Sequence, residues 1–411
     1  MDTSKNSLET LNDAALNSST ISNTHKKIFL SDLNIKDPIK ELFLIKLLQL
    51  TQGRDGRDYL NCILVDQTGE MEARVWGGKA KYYSQNFIKG EVCLVEGKIN
   101  LYQGRKQFII QEIHKVDQSK IDFSLFQISS DINAQELFNS LNEIVKSLDD
   151  FYIRELLTKI IHHESIKPKL LTWPAGKSIH HAYQSGLLEH ILSCAQLAQH
   201  LGKFYKVNSN YVVAGAILHD LAKIEELTFS TLTEYSDEGK LVGHLINSVE
   251  LIEKFSLTIN NFPSDLKMHL KHIVVSHHGS YEFGSPKLPQ TAEANLVHLI
   301  DYMDSKMNAI ETIIKTDSNV GDWSNFNKYL DRTIYKIELP FYPNEILNSP
   351  SHVNQSAPNG KSATTLSNSQ TPNTSAKKSA STKEKDIKES LAKHLQGFKL
   401  QKDPENSDKA D

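Results

Sequence analysis

Hydrophobic positions recur along the chain with two different periods, and the change falls near residue 120. Before it, short apolar runs alternate with polar turns. Glu41–Gln52 reads as a strand, Gly53–Asp58 as a turn, Tyr59–Asp66 as a second strand and Thr68-Gly69 as another turn. Met71–Trp76 alternates, with Met71, Ala73 and Val75 on one side and Glu72, Arg74 and Trp76 on the other. That is the period of a half-buried strand. Ala80–Phe87 predicts a short helix, and Val92–Leu101 and Gln107–Val116 predict two further strands around Gln103-Gly104.

Five strands with a small helix between the third and fourth is the order of an OB-fold, a small Greek-key barrel. Beyond residue 133 the period becomes helical. Leu187, Leu188, Ile191, Leu192, Ala195, Ala198 and Leu201 keep one stripe, and similar stripes run through Tyr211–Leu221, Leu245–Phe255, Leu266–Val275 and Ala292–Ile314. The expected organisation is a disordered tail over 1–24 and an OB-fold nucleic-acid-binding domain over 25–117. A linker over 118–132, an all-α domain over 133–343 and a second disordered tail over 344–411 follow. In that tail Ile387, Leu391, Leu395 and Phe398 recur at helical spacing, the pattern of a short helix. Ser, Thr, Asn, Pro and Lys dominate the rest of it and cannot bury a core.

Charge narrows the classes. Lys and Arg total 46 against 50 Asp and Glu, a formal net charge of -4, too balanced for a histone-like binder. No run approaches the roughly 18 apolar residues of a membrane span, and the N-terminus has no apolar signal core. A cytoplasmic protein without membrane attachment is expected. Three distant cysteines, Cys62, Cys93 and Cys194, argue against a disulfide framework or a thiolate zinc site. Histidine is the unusual residue: 17 in all, thirteen of them between His162 and His298.

The central chemical signal is His190, the pair His219-Asp220, His244, the pair His277-His278, and Asp301, spread over successive helices. Neutral imidazole and carboxylate together suit borderline to hard divalent cations. Asp220, beside a histidine, has two oxygens and is the natural bridge between two ions. Two ions about 3.5–4 Å apart can activate water and stabilise the leaving oxygen of a phosphodiester. Ala216–Lys223 places His219 and Asp220 at the end of an apolar helix, where unpaired charge is costly and a cation would relieve the cost. Isolated histidines such as His200 and His298 read as ordinary packed or surface residues, and His269 and His272 stay unassigned. Gly176-Lys177-Ser178 fails as a P-loop, because Leu171 stands where the first glycine belongs.

The stretches His180-His181-Ala182-Tyr183, Gly186–His190, Ile217–Lys223, His277-His278-Gly279 with Glu282–Pro286, and His298–Asp301 with Asp304 carry a resemblance. They resemble the HD superfamily of metal-dependent phosphohydrolases, and more closely the bacterial YhaM family of 3′→5′ exoribonucleases, which place an OB-fold before an HD domain. The resemblance spans about Phe29 to Pro343. It implies that His190, His219, Asp220 and Asp301 form the basic metal site and that His244, His277 and His278 complete a second. It implies two divalent ions, Mn²⁺ first, with Co²⁺, Fe²⁺ or Zn²⁺ as alternatives. Asp220 and Lys223 are the expected catalytic pair, Lys223 facing a substrate phosphate; a simple helix-capping lysine is the plainer reading. His180 and His181 are candidate substrate contacts or helix-entry packing. No Gly-Tyr-Pro follows His277-His278, which weakens a cyclic-dinucleotide reading.

Residues 25–117 hold 15 Lys or Arg and 12 Asp or Glu, a small excess. More telling is that Arg54, Arg57, Arg74, Lys79, Lys81, Arg105 and Lys106 interleave with Tyr59, Trp76, Tyr82, Tyr83, Tyr102 and Phe108. Cations along the backbone and aromatics under the bases hold single-stranded nucleic acid. Arg74 and Trp76 are the best exposed candidates, opposite the apolar side of their strand. The expected activity is metal-dependent hydrolysis of single-stranded RNA, with single-stranded DNA as an alternative substrate; the resemblance to the YhaM family implies attack from the 3′ end and nucleoside 5′-monophosphates as products. The rivals are an HD enzyme acting on small or cyclic nucleotides and a non-catalytic nucleic-acid-binding protein. A homo-oligomer is compatible with either, without an interface signature.

Overall fold

The computed structural model describes residues 25–340 apart from Arg54, Asp131, Ile179 and Ser318. The expected tails, the stripe Ile387–Phe398 and Arg54 lie outside the described residues.

Five strands close a barrel in the order β1-β2-β3-β5-β4. They are β1 (Pro38–Gln52), β2 (Asp58–Asp66), β3 (Gly69–Trp76), β4 (Val92–Tyr102) and β5 (Arg105–Lys115), with helix α1 (Lys79–Asn86) between β3 and β4. β1 is long enough to serve two neighbours. Its first half pairs with β4 from Pro38 to Leu44, and its second half pairs with β2 out to Gln52. The ladder slips between Ile45 and Leu47, a bulge that bends the strand around the barrel. β3 and β5 close the ring in parallel, and this is the OB-fold. Met71, Ala73 and Val75 are buried inside, as the alternation of β3 requires, while Trp76 points out at 55% exposure. Phe43 and Phe108 meet edge to face at the centre, with centroids 5.8 Å apart.

The remainder is helical: α2 (Ala134–Lys146), α3 (Phe151–Ile161), α4 (Lys167–Leu170), α5 (Gly186–Tyr205), α6 (Ser209–Leu218), α7 (Lys223–Glu226), α8 (Asp237–Leu241), α9 (His244–Ser256), α10 (Ser264–Ser276) and α11 (Ala292–Thr316). A two-stranded hairpin, β6 (Leu227–Phe229) and β7 (Thr233–Tyr235), interrupts them. α5, α6, α10 and α11 share one apolar core through Leu188, Ile191, Val213, Ile217, Ile273 and Val297. All three cysteines are buried and free.

The segment between β5 and α2 packs on the barrel through apolar side chains. Phe126 and Ile121 join Leu42, Leu44, Val65 and Leu94 in a second apolar cluster on the outside of the barrel, and Leu232 of the β6–β7 hairpin packs against it. Glu234 of that hairpin takes Lys89 from the barrel and Lys177 from the helical part as ion-pair partners. Lys26 is wholly buried. It donates to the Leu42 carbonyl at 2.8 Å, pairs with Asp66 at 3.1 Å and lies 4.1 Å from the Phe43 ring centroid. Barrel and helices belong to one compact unit ending at Leu339. No helix among the described residues is long and apolar enough to cross a membrane.

Candidate metal centre

Helix ends and one helix face bring the histidines and acids together. His219 and Asp220 follow directly on α6, where the apolar run Val212–Leu218 terminates. Lys223 opens α7 three residues later. His244 is the first residue of α9, after Gly243. His277 and His278 follow α10. His190 lies one turn into α5, and Asp301 lies on α11. Gly279 ends the α10 segment with φ +83°, and a Cβ there would run into the His298 ring. Only glycine fits both the backbone and the space.

The side chains converge on Asp220. Its Oδ2 lies 3.4 Å from His190 Nε2 and 3.6 Å from His219 Nε2. Asp301 Oδ1 is 3.5 and 3.8 Å from the same two nitrogens. Asp220 Oδ1 faces the other way, 3.4 Å from His244 Nε2 and 3.6 Å from His277 Nε2. His244, His277 and His278 bring their ligand atoms within 4.8 Å of one another, as do His190, His219, Asp220 and Asp301. His190 Nε2 and His219 Nε2 are 3.1 Å apart.

The outer ring nitrogens explain why the inner ones are free to ligate. His219 Nδ1 donates to the Ala216 carbonyl at 2.9 Å, His277 Nδ1 to Val274 at 2.7 Å and His278 Nδ1 to Phe283 at 2.9 Å. His190 Nδ1 donates to Asp304 at 2.8 Å, and His244 Nδ1 to Glu226 at 3.0 Å. A carbonyl or carboxylate can only accept, so in its neutral form each ring carries its proton outside and aims a lone pair inward. Among the described residues, Asp220 Oδ1 and His244 Nε2 are buried without a hydrogen-bond partner. Buried polar atoms of a native fold are normally paired, and a cation supplies the missing partner. The residues present therefore fit a divalent metal.

Electrostatics agree. Burial favours a neutral Asp220, but Lys223, His219 and His190 overcome it and hold the carboxyl well below its usual range. Burial likewise opposes the charge on Lys223, and Asp220, 2.6 Å away, raises its pKa regardless. Burial pushes His278 down to about 4, so its imidazole is neutral at physiological pH.

His180 and His181 sit at the edge, both at positive φ. His181 has no free ring nitrogen: Nε2 donates to Asp304 at 2.9 Å, and Nδ1 accepts from the Tyr183 hydroxyl at 2.9 Å. Gly186 makes this turn possible, because a Cβ there would meet the His181 carbonyl at 2.0 Å. Beside them a cleft of about 970 Å³ opens toward Lys46, Glu70 and Glu72 of the barrel. Arg74 and Trp76 lie outside this cluster, on the barrel. The Arg74 guanidinium lies 4.9 Å from the Tyr59 ring centroid, and Tyr59 and Trp76 have centroids 5.1 Å apart.

The residue pattern left Asp304 and Glu226 without a role, and it set His298 aside. Asp304 gathers His190, His181 and Ser193, and His298 Nδ1 donates to the His277 carbonyl at 2.8 Å. The available signal for Asp304 was its place one turn after Asp301 on the same helix.

Such a cluster at the helix ends of an α-helical core, preceded by an OB-fold, defines an HD-domain hydrolase with a nucleic-acid-binding module. The HD domain model matches residues 187–306, and a model described as an OB-fold nucleic acid binding domain matches 44–116. The protein called 3′-5′ exoribonuclease YhaM from Listeria monocytogenes is 30% identical over 288 residues, 70% of this chain and 91% of the relative. Its namesake from Oceanobacillus iheyensis is 34% identical over 62% of this chain and 80% of the relative. That from Bacillus subtilis is 29% identical over 68% and 89%. The chain belongs to the YhaM family of 3′-5′ exoribonucleases.

Proposed function

We propose that the protein is a metal-dependent 3′→5′ exoribonuclease that degrades single-stranded RNA to nucleoside 5′-monophosphates at a dinuclear centre. The observation that carries this is the division of Asp220, one oxygen toward His190 and His219 and the other toward His244 and His277. His190, His219, Asp220 and Asp301 would hold one ion. His244, His277, His278 and the second oxygen of Asp220 would hold another. Bound there, the ions supply Lewis-acid charge and lower the pKa of attacking water toward neutrality. The donor set takes Mn²⁺, Co²⁺, Fe²⁺ or Zn²⁺, and family membership favours Mn²⁺.

The chain's own groups do the rest. Asp304 and Glu226 keep His190 and His244 in the ligating tautomer. Lys223 keeps its proton beside Asp220 and adds fixed positive charge against a phosphoryl oxygen. His181 acts through Asp304, as a positioning residue. Arg74, Tyr59 and Trp76 offer a cation and two rings to a single strand of RNA, and single-stranded DNA suits the same platform.

Asp220→Ala tests the reading. It should abolish mononucleotide release from single-stranded RNA, and the metal content of purified protein should fall, while RNA binding persists. Hydrolysis at the normal rate by this variant removes the assignment. Activity of the native protein confined to dinucleotides or cyclic nucleotides removes the exoribonuclease reading but keeps the metal site.

A further inference from the structure

The segment after α11 lies beyond the HD match, yet it returns to the metal centre. Trp323 pairs with Tyr335 and Asn327 with Arg332, so the chain folds back on itself. The tip carries Tyr329, half-buried, whose carbonyl accepts from Lys306 Nζ of α11. The Lys306 ammonium lies 3.6 Å from the Tyr329 ring centroid. The Tyr329 ring runs nearly parallel to His180, with an interplanar angle of 23° and centroids 6.3 Å apart. His180 in turn is 6.3 Å, centroid to centroid, from His190 of the metal cluster.

Two further observations mark this corner as a ligand seat. His180 Nδ1 is buried without a hydrogen-bond partner, an uncommon condition for a polar atom. His180 and His181 take φ +38° and +49° in succession, and such strain in non-glycine residues gathers at ligand clamps. A ring face, a cation and an unused ring nitrogen beside a phosphodiesterase centre match the parts of a nucleotide: base, phosphate and ribose hydroxyl.

We propose that His180, Tyr329 and Lys306 seat the 3′-terminal nucleotide of the RNA. The base lies against the Tyr329 and His180 rings, Lys306 faces the phosphate, and His180 Nδ1 meets a ribose hydroxyl. This rests on the exoribonuclease reading: a seat that accepts one terminal nucleotide beside the metal cluster is what an enzyme working from an end requires.

The test uses the full chain treated with chelator and a single-stranded RNA carrying 2-aminopurine at its 3′ terminus. Stacking should quench the probe, and a probe at the 5′ terminus should quench much less. Tyr329→Ala should lose the 3′ quench and bind the RNA about tenfold more weakly. Tyr329→Trp should keep the quench, and Lys306→Gln should raise KM for RNA more than it lowers kcat. Tyr205→Ala, on an exposed helix end far along α5, is the control. Unchanged 3′ quenching in Tyr329→Ala, or equal quenching at both ends in the native protein, overturns the seat. Failure of the metal-loaded native protein to shorten RNA at all instead overturns the reading beneath it.

Discussion

His190 and His219 bring two imidazole nitrogens to 3.1 Å, with two carboxylates close by. Their residue types were legible in the sequence, because imidazoles and acids at helix ends have few other reasons to be buried. The supporting acids were not. Asp304, one turn after Asp301 on α11, and Glu226 look on paper like solvated charges. What distinguishes Asp304 is His190, which comes from a helix more than a hundred residues earlier. Removing such a supporting partner commonly weakens metal affinity about 10–100-fold. Asp304→Asn is expected to do so here, because the amide can present its NH₂ to His190 Nδ1 and unsettle the tautomer. Competition with a fluorescent chelator measures it. Native affinity in this variant would remove Asp304 from the metal site's support.

At the scale of elements, the strand alternation of Met71–Trp76 gave the inward and outward faces of β3 correctly, since a period of two leaves no other choice once one face is apolar. The double pairing of β1 was not legible. It depends on the slip between Ile45 and Leu47, which no local pattern announces. The loop carrying Tyr329 has no periodicity either, and its return to His180 is a tertiary fact. The outward platform leads to a prediction of its own. Replacing Arg74 and Trp76 together with alanine should weaken binding of long single strands by about 1–3 kcal/mol for each stacked base lost. Cleavage of dinucleotides should change far less. Fluorescence anisotropy with long and short RNAs separates the two, and equal losses on both would contradict an RNA-holding role for this face.

For the whole molecule, burial makes stability depend on pH in one direction. It pushes His278 down to about 4 and His180 down to about 3, whereas in the unfolded chain both titrate near 6.5. Between pH 6.5 and 4 the unfolded state therefore binds more protons than the folded one, and stability falls as the pH falls. His190 does not offset this. Burial would lower its pKa, but neighbouring groups including Asp220 and Asp304 raise it well above its usual value. Its contribution is fully present below pH 6.5 and is lost only on the alkaline side. Urea midpoints of chelator-treated protein should drop from pH 7 to pH 5, and a flat or rising midpoint would contradict the buried neutral histidines.

The most direct measurement follows a single-stranded RNA labelled at its 5′ end, with metal and with chelator. The account predicts labelled fragments that shorten progressively from the 3′ side when Mn²⁺ is present and intact RNA when the metal is removed. Undiminished cleavage in chelator, or immediate release of the labelled 5′ nucleotide, would contradict it.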